Sequence, residues 1–341
     1  MEAVILAGGR AERLWPITRN RAKPLLPVAG RPLMDYAVEK LLSSSSVENV
    51  IVSTSKRVEE EFRAWASGSG YENLEIYVEG GGKDVRLGAV GAVKVLVDEG
   101  RLRDECLILA GDNLFSFDVD DLVGYYRKVK ASVVATYCSP NLSLVSRYNT
   151  VSLDGDSRIT NFVEKPQKPM SNLVATACYA FPYSTLERVQ EYAEGGGRLD
   201  ILGHFLEWLH RREDVFAFQF TEYWFDIGDP DSYLNANKLM MDRRGSVIPD
   251  TARIEEGVAI VDPIVVSDGV RVTGRSRIGP YVELERGAHV SNSTVNLSVV
   301  LENGRIWDSL VKQSILGENC EIHGSSLSES LIGPHTIVMG S

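Results

Sequence analysis

The sequence predicts an α/β sandwich followed by a β-helix within one chain. Up to roughly residue 240, short β-branched runs alternate with amphipathic stretches, the pattern of helices that cover a mostly parallel sheet. Beyond about residue 245 the helical periodicity stops, and short β pieces recur with Gly, Asn and Ser between them. The 341 residues, 44% of them hydrophobic, also exceed what a single core buries efficiently. We therefore expect two domains, residues 1–243 and 244–341.

The strands and helices of the first domain follow from its apolar runs. Compact β-branched runs predict strands over residues 3–6, 50–54, 74–78, 106–110 and 132–137. Apolar residues at helical spacing predict helices over residues 32–42, 58–65 and 122–129. Two polar segments follow strands directly, one at Gly8 and one at Gly111-Asp112. Since ligands of open α/β sheets bind beyond the carboxyl ends of the strands, we expect both segments to serve one site.

The second domain shows a short repeat. An aliphatic residue followed by glycine recurs at Ile278-Gly279, Leu316-Gly317 and Ile332-Gly333, with looser copies between. This is the hexapeptide pattern of a β-helix, in which each short strand forms one wall of a coil. A β-sandwich is the alternative, but sandwiches rarely repeat at so short a period. Because coil ends and edges need to be capped or paired, we expect a homo-oligomer to which the β-helix contributes.

Charge and cysteine content narrow the class of protein. The net charge of −11 argues against general binding to nucleic acid or to an anionic membrane, because both require a positive surface. Four cysteines stand far apart in apolar runs, which indicates neither a zinc site nor a disulfide framework. The sequence starts directly with a strand-like run and contains no long apolar segment, so we expect a cytoplasmic protein.

A basic, glycine-started loop stands out against this acidic background. Residues 6–28 read LAGGRAERLWPITRNRAKPLLPV. The paired Gly8 and Gly9 permit backbone N–H groups to form an anion-binding nest, and prolines stiffen the segment that joins Arg13 to Lys23. The loop is neither a Walker loop nor a GxGxxG fingerprint. Its composition alone leaves two readings open, a triphosphate site and a solvated basic loop.

Five motifs in order resemble the signature of the sugar-1-phosphate nucleotidylyltransferases, also called nucleotide-sugar pyrophosphorylases. They are Gly8-Gly9-x-x-x-Arg13-Leu14-x-Pro16-x-Thr18, Lys23-Pro24-Leu25-Leu26-Pro27-Val28, Leu109-Ala-Gly-Asp-Asn113, Glu164-Lys165-Pro166 and Trp224-Phe-Asp-Ile-Gly-Asp-Pro230. Their order looks most like the long form of glucose-1-phosphate thymidylyltransferase, whereas the last motif looks closer to mannose-1-phosphate guanylyltransferases. The resemblance implies a Rossmann-like nucleotidyltransferase sandwich with a C-terminal left-handed parallel β-helix.

The resemblance also implies a reaction and a division of roles. A sugar 1-phosphate attacks the α-phosphorus of a nucleoside triphosphate and releases pyrophosphate, with Mg²⁺ as cofactor. Arg13 and Lys23 match the catalytic cations, and Asp112 and Asp226 match the metal-binding carboxylates. The nucleotide-binding positions implied are Leu6, Ala7, Gly8, Gly9, Arg10, Glu79, Gly88 and Asp112. The sugar-phosphate-binding positions implied are Asn149, Glu164, Lys165, Thr176 and Tyr179.

Several positions depart from the family pattern. Ala11-Glu12 stands where Gly-Thr or Gly-Ser is usual; a methyl group at position 11 is tolerated if its φ is negative, and a carboxylate aimed at a triphosphate weakens binding. Glu79 replaces a base-reading glutamine, and an ionised carboxylate only accepts hydrogen bonds, which fits guanine or cytosine better than thymine. Asn149 and Ala177 stand where glycines usually leave space for the sugar. These departures leave the base and the sugar open.

Three functions follow as alternatives. The first is an active enzyme, with glucose 1-phosphate and dTTP or UTP as the expected substrates and mannose 1-phosphate with GTP next. The second is a catalytically silent protein that binds nucleotide-sugars in a regulatory or scaffold role, suggested by Glu12, Glu79 and Asn149. The third adds an acyltransferase in the β-helix, for which His289, His323 and His335 are candidate bases. The presence of Arg13 and Asp226 favours the first.

Overall fold

The computed structural model describes residues 1–82 and 86–340, and the chain packs as two compact units. The first unit consists of Met1–Gly9 and Met34–Phe225. The second consists of Arg10–Leu33 and the C-terminal part from Asp226 onward, so the basic loop packs with the C-terminal strands. The domain boundary expected after residue 243 stays a prediction.

The α-helices carry the apolar faces that the sequence periodicity indicates. In the described residues they are α1 Leu33–Leu42, α2 Glu59–Ser69, α3 Gly88–Asp98, α4 Val119–Val129, α5 Tyr183–Glu194, α6 Leu202–Leu209 and α7 Pro230–Arg244. Helix α7 begins with a capping box, in which the Asp229 side chain accepts from Ser232 N–H, and Pro230 occupies its first turn. These signals fix where the helix starts.

The thirteen strands that precede the C-terminal β-helix are short and mostly buried. They are β1 Glu2–Leu6, β2 Pro27–Val28, β3 Arg31–Pro32, β4 Asn49–Thr54, β5 Leu74–Val78, β6 Cys106–Ala110, β7 Asn113–Phe115, β8 Ser132–Cys138, β9 Asn149–Leu153, β10 Ile159–Val163, β11 Leu173–Phe181, β12 Val215–Phe220 and β13 Trp224–Asp226. Strands β2 and β3 form a small hairpin in the second unit. Strand β13, whose first two residues end the first unit, pairs with β7.

The first unit is built on a mixed sheet whose path runs β10-β9-β11-β6-β1-β4-β5. Off this path, β8 pairs with β11 and β12 pairs with β8. Strands β6, β1, β4 and β5 are parallel to one another. Strand β11 runs antiparallel to β6, β8 and β9. The α/β fold and its predicted strands are therefore confirmed, while the parallel arrangement is confined to one half of the main path and to the β8–β12 pair.

The C-terminal strands form three parallel sheets, the arrangement of a left-handed β-helix. One wall contains β14 Arg253–Ile254, β17 Arg271–Thr273, β20 His289–Ser291, β23 Arg305–Trp307, β26 Glu321–His323 and β29 Ile337–Met339. The second contains β15 Ala259–Ile260, β18 Arg277–Ile278, β21 Thr294–Asn296, β24 Leu310–Lys312 and β27 Ser326–Ser328. The third contains β16 Ile264–Val266, β19 Val282–Leu284, β22 Ser298–Val300, β25 Ile315–Leu316 and β28 Leu331–Ile332.

The coils shorten along the β-helix. Arg271 pairs with His289, 18 residues further on, whereas Arg305 pairs with Glu321 after 16 residues. Left-handed backbone marks one corner of successive coils, at Asn303, Asn319 and His335. The aliphatic-Gly pairs do not share one wall, since Ile278 lies on the second wall and Leu316 and Ile332 lie on the third.

Stacked serines hold another corner of the β-helix together. The N–H of Ser309 donates to Ser293 Oγ, and the N–H of Ser325 donates to Ser309 Oγ, each at 3.0 Å. Each serine hydroxyl in turn donates to the carbonyl two residues earlier, as Ser309 does to Trp307. The buried polar atoms of this corner are thereby paired. Among the described residues, no helix is long and apolar enough to cross a membrane.

Candidate functional site

Residues 7–9 follow strand β1 at the carboxyl ends of the parallel strands. Ala7 N–H donates to the Ser53 carbonyl at 2.7 Å, and Gly111 N–H donates to the Leu6 carbonyl at 2.9 Å. The segment is therefore held between the ends of β4 and β6. Gly9 is exposed, and a Cβ there would meet no other atom within 4 Å. Gly9 thus presents its backbone at this edge, and nucleotide binding by Leu6, Ala7, Gly8 and Gly9 stays a prediction.

Glu79 lies directly against this turn. A Cβ on Gly8 would stand 2.7 Å from Glu79 Oε1, and the Glu79 side chain accepts a hydrogen bond of 3.0 Å from Ser53 Oγ. Glu79 is 6% exposed, and burial raises the pKa of its carboxyl, an effect that the Ser53 hydrogen bond opposes. The fold therefore brings Gly8 and Glu79 together, and a side chain at position 8 would require the Glu79 carboxyl to shift.

Gly88 packs against a different segment. A Cβ on Gly88 would overlap the carbonyl oxygen of Leu199. The following amides of Ala89 and Val90 donate to the carbonyls of Asp200 and Leu199, each at 3.0 Å. The first amides of α3 are therefore bonded to main-chain carbonyls of the same unit. A role for Gly88 in base recognition stays a prediction.

Glu164, Asn149 and Gly203 converge on one point in the first unit. The Glu164 side chain is 7% exposed, and among the described residues no group donates a hydrogen bond to either of its buried oxygens. Lys165 Nζ stands 3.5 Å from Glu164 Oε1. A Cβ on Gly203 would overlap Glu164 Oε2 and would stand 2.5 Å from Asn149 Nδ2. The Glu164 carboxylate is thus ion-paired with Lys165 yet accepts no hydrogen bond from the described residues, which suits a ligand that supplies hydroxyl groups.

Two other predicted sugar residues lie deeper in the sheet. Thr176 is buried, and its hydroxyl donates to the Ala135 carbonyl at 2.9 Å. Tyr179 is also buried, in ring contact with Phe181. Burial raises the pKa of Tyr179, and the nearby charge of Glu164 adds to the effect. Their direct roles at a sugar stay predictions.

Asp112 is held by the polar residues after strand β6. Asn113 Nδ2 donates to Asp112 Oδ1 at 2.8 Å, and Trp224 Nε1 donates to Asn113 Oδ1 at 2.6 Å. The Trp224 ring meets the Tyr148 ring edge-on, with centroids 4.8 Å apart. This chain of contacts orients the Asp112 carboxyl.

In the second unit, Arg13 lies against the segment that contains Asp226. Arg13 sits in a 3-10 turn, Glu12–Leu14, and a Cβ on Gly228 would overlap its guanidinium. Lys23 begins a second such turn, Lys23–Leu25. Arg10 and Glu12 are both exposed. The loop therefore brings Arg13 to the Asp226-Ile-Gly228 motif and leaves the Glu12 side chain at the surface.

The backbone at Ala11 departs from expectation. Its φ of 50° lies in the left-handed region, so the condition of a negative φ does not hold. The conformation persists because Leu14 N–H and Thr18 Oγ1 both donate to the Ala11 carbonyl, at 3.0 and 2.8 Å. Alanine tolerates left-handed backbone at a cost of about 1 kcal/mol.

Ala11→Gly is expected to raise the free energy of unfolding by about 0.5–1 kcal/mol, because glycine adopts this backbone without steric cost. Denaturant unfolding measures the change. Ala22→Gly is the matched control, since Ala22 has a φ of −69° and a buried methyl group, and it should change the stability in the opposite direction. A loss of stability in both variants would contradict the assignment of strain to Ala11.

Comparison with known proteins decides the family. A sequence model described as nucleotidyl transferase matches residues 2–243. The chain belongs to the nucleotidyl transferase family. This nucleotidyltransferase is 29% identical over 330 residues to a protein of Methanocaldococcus jannaschii named bifunctional protein GlmU, covering 90% of this chain and 74% of the relative. It is 28% identical over 315 residues to glucose-1-phosphate thymidylyltransferase of Streptomyces antibioticus, covering 91% and 85%.

Two further relatives agree. Mannose-1-phosphate guanylyltransferase of Mycobacterium tuberculosis is 24% identical over 306 residues, covering 89% of this chain and 82% of the relative. A solved structure from Bacillus anthracis, described as a glucose-1-phosphate thymidylyltransferase in complex with sucrose, superposes with a TM-score of 0.62. At 24% identity it covers 71% of this nucleotidyltransferase and 96% of its own chain, and it supports the fold alone.

Three contact residues of this nucleotidyltransferase were missed in the sequence. Gly203 and Gly228 carry no side chain, and their role is the space they leave for Glu164 and Arg13. Ser53 is the penultimate residue of strand β4, in which every residue but the first is buried, so no alternation of polar and apolar residues marks its side chain. The sequence signal for Gly203 is that a glycine stands inside an otherwise helical run, residues 202–209.

Proposed function

We propose that the protein transfers a nucleotidyl group from a nucleoside triphosphate to a sugar 1-phosphate, giving a nucleotide-sugar and pyrophosphate. The observation that carries this proposal is the Glu164 carboxylate, whose two buried oxygens have no donor among the described residues. Beside it lie Asn149 and the bare backbone of Gly203. Sugar hydroxyls are donors of the right kind, and buried acceptors without partners are rare in folded proteins.

The proposed chemistry needs positioning and charge neutralisation more than covalent help. An oxygen of the sugar phosphate attacks the α-phosphorus, a P–O bond forms, and the bond to the pyrophosphate oxygen breaks. Arg13 neutralises the charge that grows on the leaving pyrophosphate, and its forked donors suit phosphate oxygens. Lys23 binds the phosphates as a point charge, and Lys165 holds the sugar phosphate next to Glu164.

The acidic residues fit Mg²⁺. Asp112 and Asp226 offer hard oxygen donors, and the Asp112 carboxyl is oriented by Asn113 at 2.8 Å. In the described part of the chain no three His, Cys, Asp or Glu side chains form a metal cluster. This donor set suits a cation that takes one or two carboxylates and shares the substrate phosphates. When bound, Mg²⁺ would neutralise phosphate charge; Asp112 and Asp226 would hold it.

Glu79 is the proposed base-reading residue. Burial raises the pKa of its carboxyl, and in the protonated form that carboxyl offers one O–H donor and one acceptor. That pair matches a pyrimidine carbonyl and N3–H as a glutamine would. We therefore place glucose 1-phosphate with dTTP or UTP first and mannose 1-phosphate with GTP second.

Glu79→Gln is expected to retain kcat/KM for the pyrimidine triphosphate within about threefold, because the amide keeps one donor and one acceptor. In the unsubstituted enzyme this kcat/KM should fall as the pH rises through the pKa of Glu79, since the donor is lost on ionisation. The glutamine variant should lack that limb of the pH profile. Identical profiles for the two enzymes would contradict neutral Glu79 as the base reader.

A substrate panel tests the proposed function. Each of dTTP, UTP, GTP, CTP and ATP is combined with glucose, mannose and glucosamine 1-phosphates and Mg²⁺, and pyrophosphate release is measured with chromatographic detection of the nucleotide-sugar. We expect turnover with at least one pair. Nucleotide binding without turnover for every pair would favour the silent regulatory protein instead.

A further inference from the structure

The hairpin that ends the basic loop is clamped by side chains from outside it. Its turn, between β2 and β3, has left-handed backbone at Ala29 and Gly30, with φ of 50° and 80°. The Ala29 N–H donates to Asn237 Oδ1 at 3.2 Å, and the Gly30 N–H donates to Glu283 Oε1 at 2.6 Å. Arg244 donates to the Ala29 carbonyl at 2.6 Å. The polar main-chain atoms of the turn are thus held by helix α7 and by the β-helix.

Glu283 and Asn237 form the centre of this clamp. Asn237 Nδ2 donates to Glu283 Oε2 at 2.6 Å, which leaves Asn237 Oδ1 to accept from Ala29. Both side chains are buried, at 3% exposure for Asn237 and none for Glu283. An ionised Glu283 carboxylate only accepts hydrogen bonds, so in that state the pair has one hydrogen-bonding arrangement. Burial, with a smaller contribution from Glu285, raises the pKa of Glu283 to about 7.

Glu283 projects from the outside of the third wall. Its neighbours Val282 and Leu284 belong to the β-helix core, so the alternation of the strand turns Glu283 outward. The outward residues of successive strands, Val265, Glu283, Val299 and Ile315, are at most 1% exposed. Gly30 packs on this stripe, since a Cβ there would stand 2.7 Å from Val265 Cγ1.

Two further contacts attach the same loop to the β-helix. The Arg21 guanidinium donates to Glu285 at 3.2 Å and to Glu318 at 2.8 Å. Near the other end of the loop, Gly333 lies against Pro16. A Cβ on Gly333 would stand 2.7 Å from Pro16 Cγ. Arg13 and Lys23 therefore belong to a segment that is attached to the β-helix at Pro16, Arg21 and Gly30.

We propose that the β-helix is a positioning element for catalysis, acting through Glu283 and Asn237 on the loop that carries Arg13 and Lys23. This inference rests on the proposed function. Glu283 and Asn237 touch no proposed substrate group; they fix the loop backbone, and through it the direction of the two cations. Small displacements of aligned groups lower rates steeply, so a loosened clamp reduces turnover without altering the sugar site.

Exchanging the donor and acceptor within the pair tests the clamp. Glu283→Gln places an amide N–H against Asn237 Nδ2, and Asn237→Asp places a second carboxylate against Glu283. Glu283→Gln loses a hydrogen bond, and Asn237→Asp keeps one only by taking up a proton between the two carboxyls. In the double variant the glutamine donates to the aspartate, which still accepts from Ala29, so every bond is restored. The full chain is assayed at pH 8 for kcat, for both KM values and for amide exchange at Ala29 and Gly30.

We expect each single variant to lower kcat about tenfold with an unchanged KM for the sugar 1-phosphate, and to speed amide exchange at Ala29 and Gly30. The double variant should recover both to within about threefold. Val311→Ala, a truncation inside the β-helix core, is the stability-matched control and should leave kcat unchanged.

Three outcomes would overturn the proposal. They are unchanged kcat and exchange in the single variants, no recovery in the double variant, and an equal loss of kcat in Val311→Ala. Absence of turnover in the unsubstituted enzyme would refute the proposed function instead, and amide exchange at Ala29 and Gly30 would still report on the clamp.

Discussion

Arg13→Ala is expected to lower kcat about 300-fold with a smaller change in KM for the triphosphate, because it removes charge stabilisation that is greatest in the transition state. Pyrophosphate carries its full charge only as the P–O bond breaks, and the Arg13 guanidinium, placed against Gly228, is proposed to meet that charge. Arg13→Lys keeps a cation but loses the forked donor geometry, so we expect an intermediate loss. Initial-rate kinetics under saturating Mg²⁺ measure both variants.

Arg19→Ala is the matched control for Arg13, since Arg19 is an exposed arginine of the same loop outside the proposed site. It should retain kcat within about twofold. Equal losses for Arg13→Ala and Arg19→Ala would mean that the loop acts through its overall positive field. That result would remove Arg13 from its assigned role.

Gly203→Ala is expected to lower kcat/KM for the sugar 1-phosphate about a hundredfold, because its Cβ would overlap Glu164 Oε2 and displace the carboxylate. The same substitution normally stabilises a helix by about 1 kcal/mol, so a loss of activity would not reflect poor helix formation. KM for the triphosphate should change little. Steady-state kinetics with the sugar 1-phosphate as the varied substrate measure the effect.

Gly124→Ala provides the matched control for Gly203. Gly124 also lies inside a helix, α4, and a Cβ there would meet no other atom within 4 Å. We expect unchanged kinetics and slightly higher stability for this variant. If Gly203→Ala behaves in the same way, the contact between Gly203 and Glu164 does not shape a sugar site.

The strands with strong local signals could be predicted, and the strand that joins them could not. Residues 50–54 and 106–110 form buried strands of the mixed sheet, and their compact β-branched and aliphatic runs identify them. Strand β11, Leu173–Phe181, mixes Ala, Thr and Cys with larger residues, yet it pairs with β6, β8 and β9. Its importance comes from pairing across the chain, which local periodicity does not report. The same holds for the change from 18-residue to 16-residue coils.

The sequence indicates those residues of the candidate site whose side chains carry the chemistry. It does not indicate the residues that contribute only backbone or space. Glu164 and Asn149 were expected near a sugar, and the structure brings them together. Gly203 contributes the space that a side chain would otherwise occupy, and no sequence motif reveals such a contribution. Glu283 was equally obscure, because its strand reads as an ordinary coil of the β-helix and its partners Asn237 and Gly30 are distant in sequence.

The fate of the α-phosphate tests the central claim most directly. The protein is incubated with Mg²⁺, a sugar 1-phosphate and a triphosphate labelled with ³²P at either the α or the γ position, and the products are separated by chromatography. Attack at the α-phosphorus predicts that the α label appears in a nucleotide-sugar and the γ label in pyrophosphate. Release of the γ label as inorganic phosphate, with no label in any nucleotide-sugar, would contradict the proposed reaction.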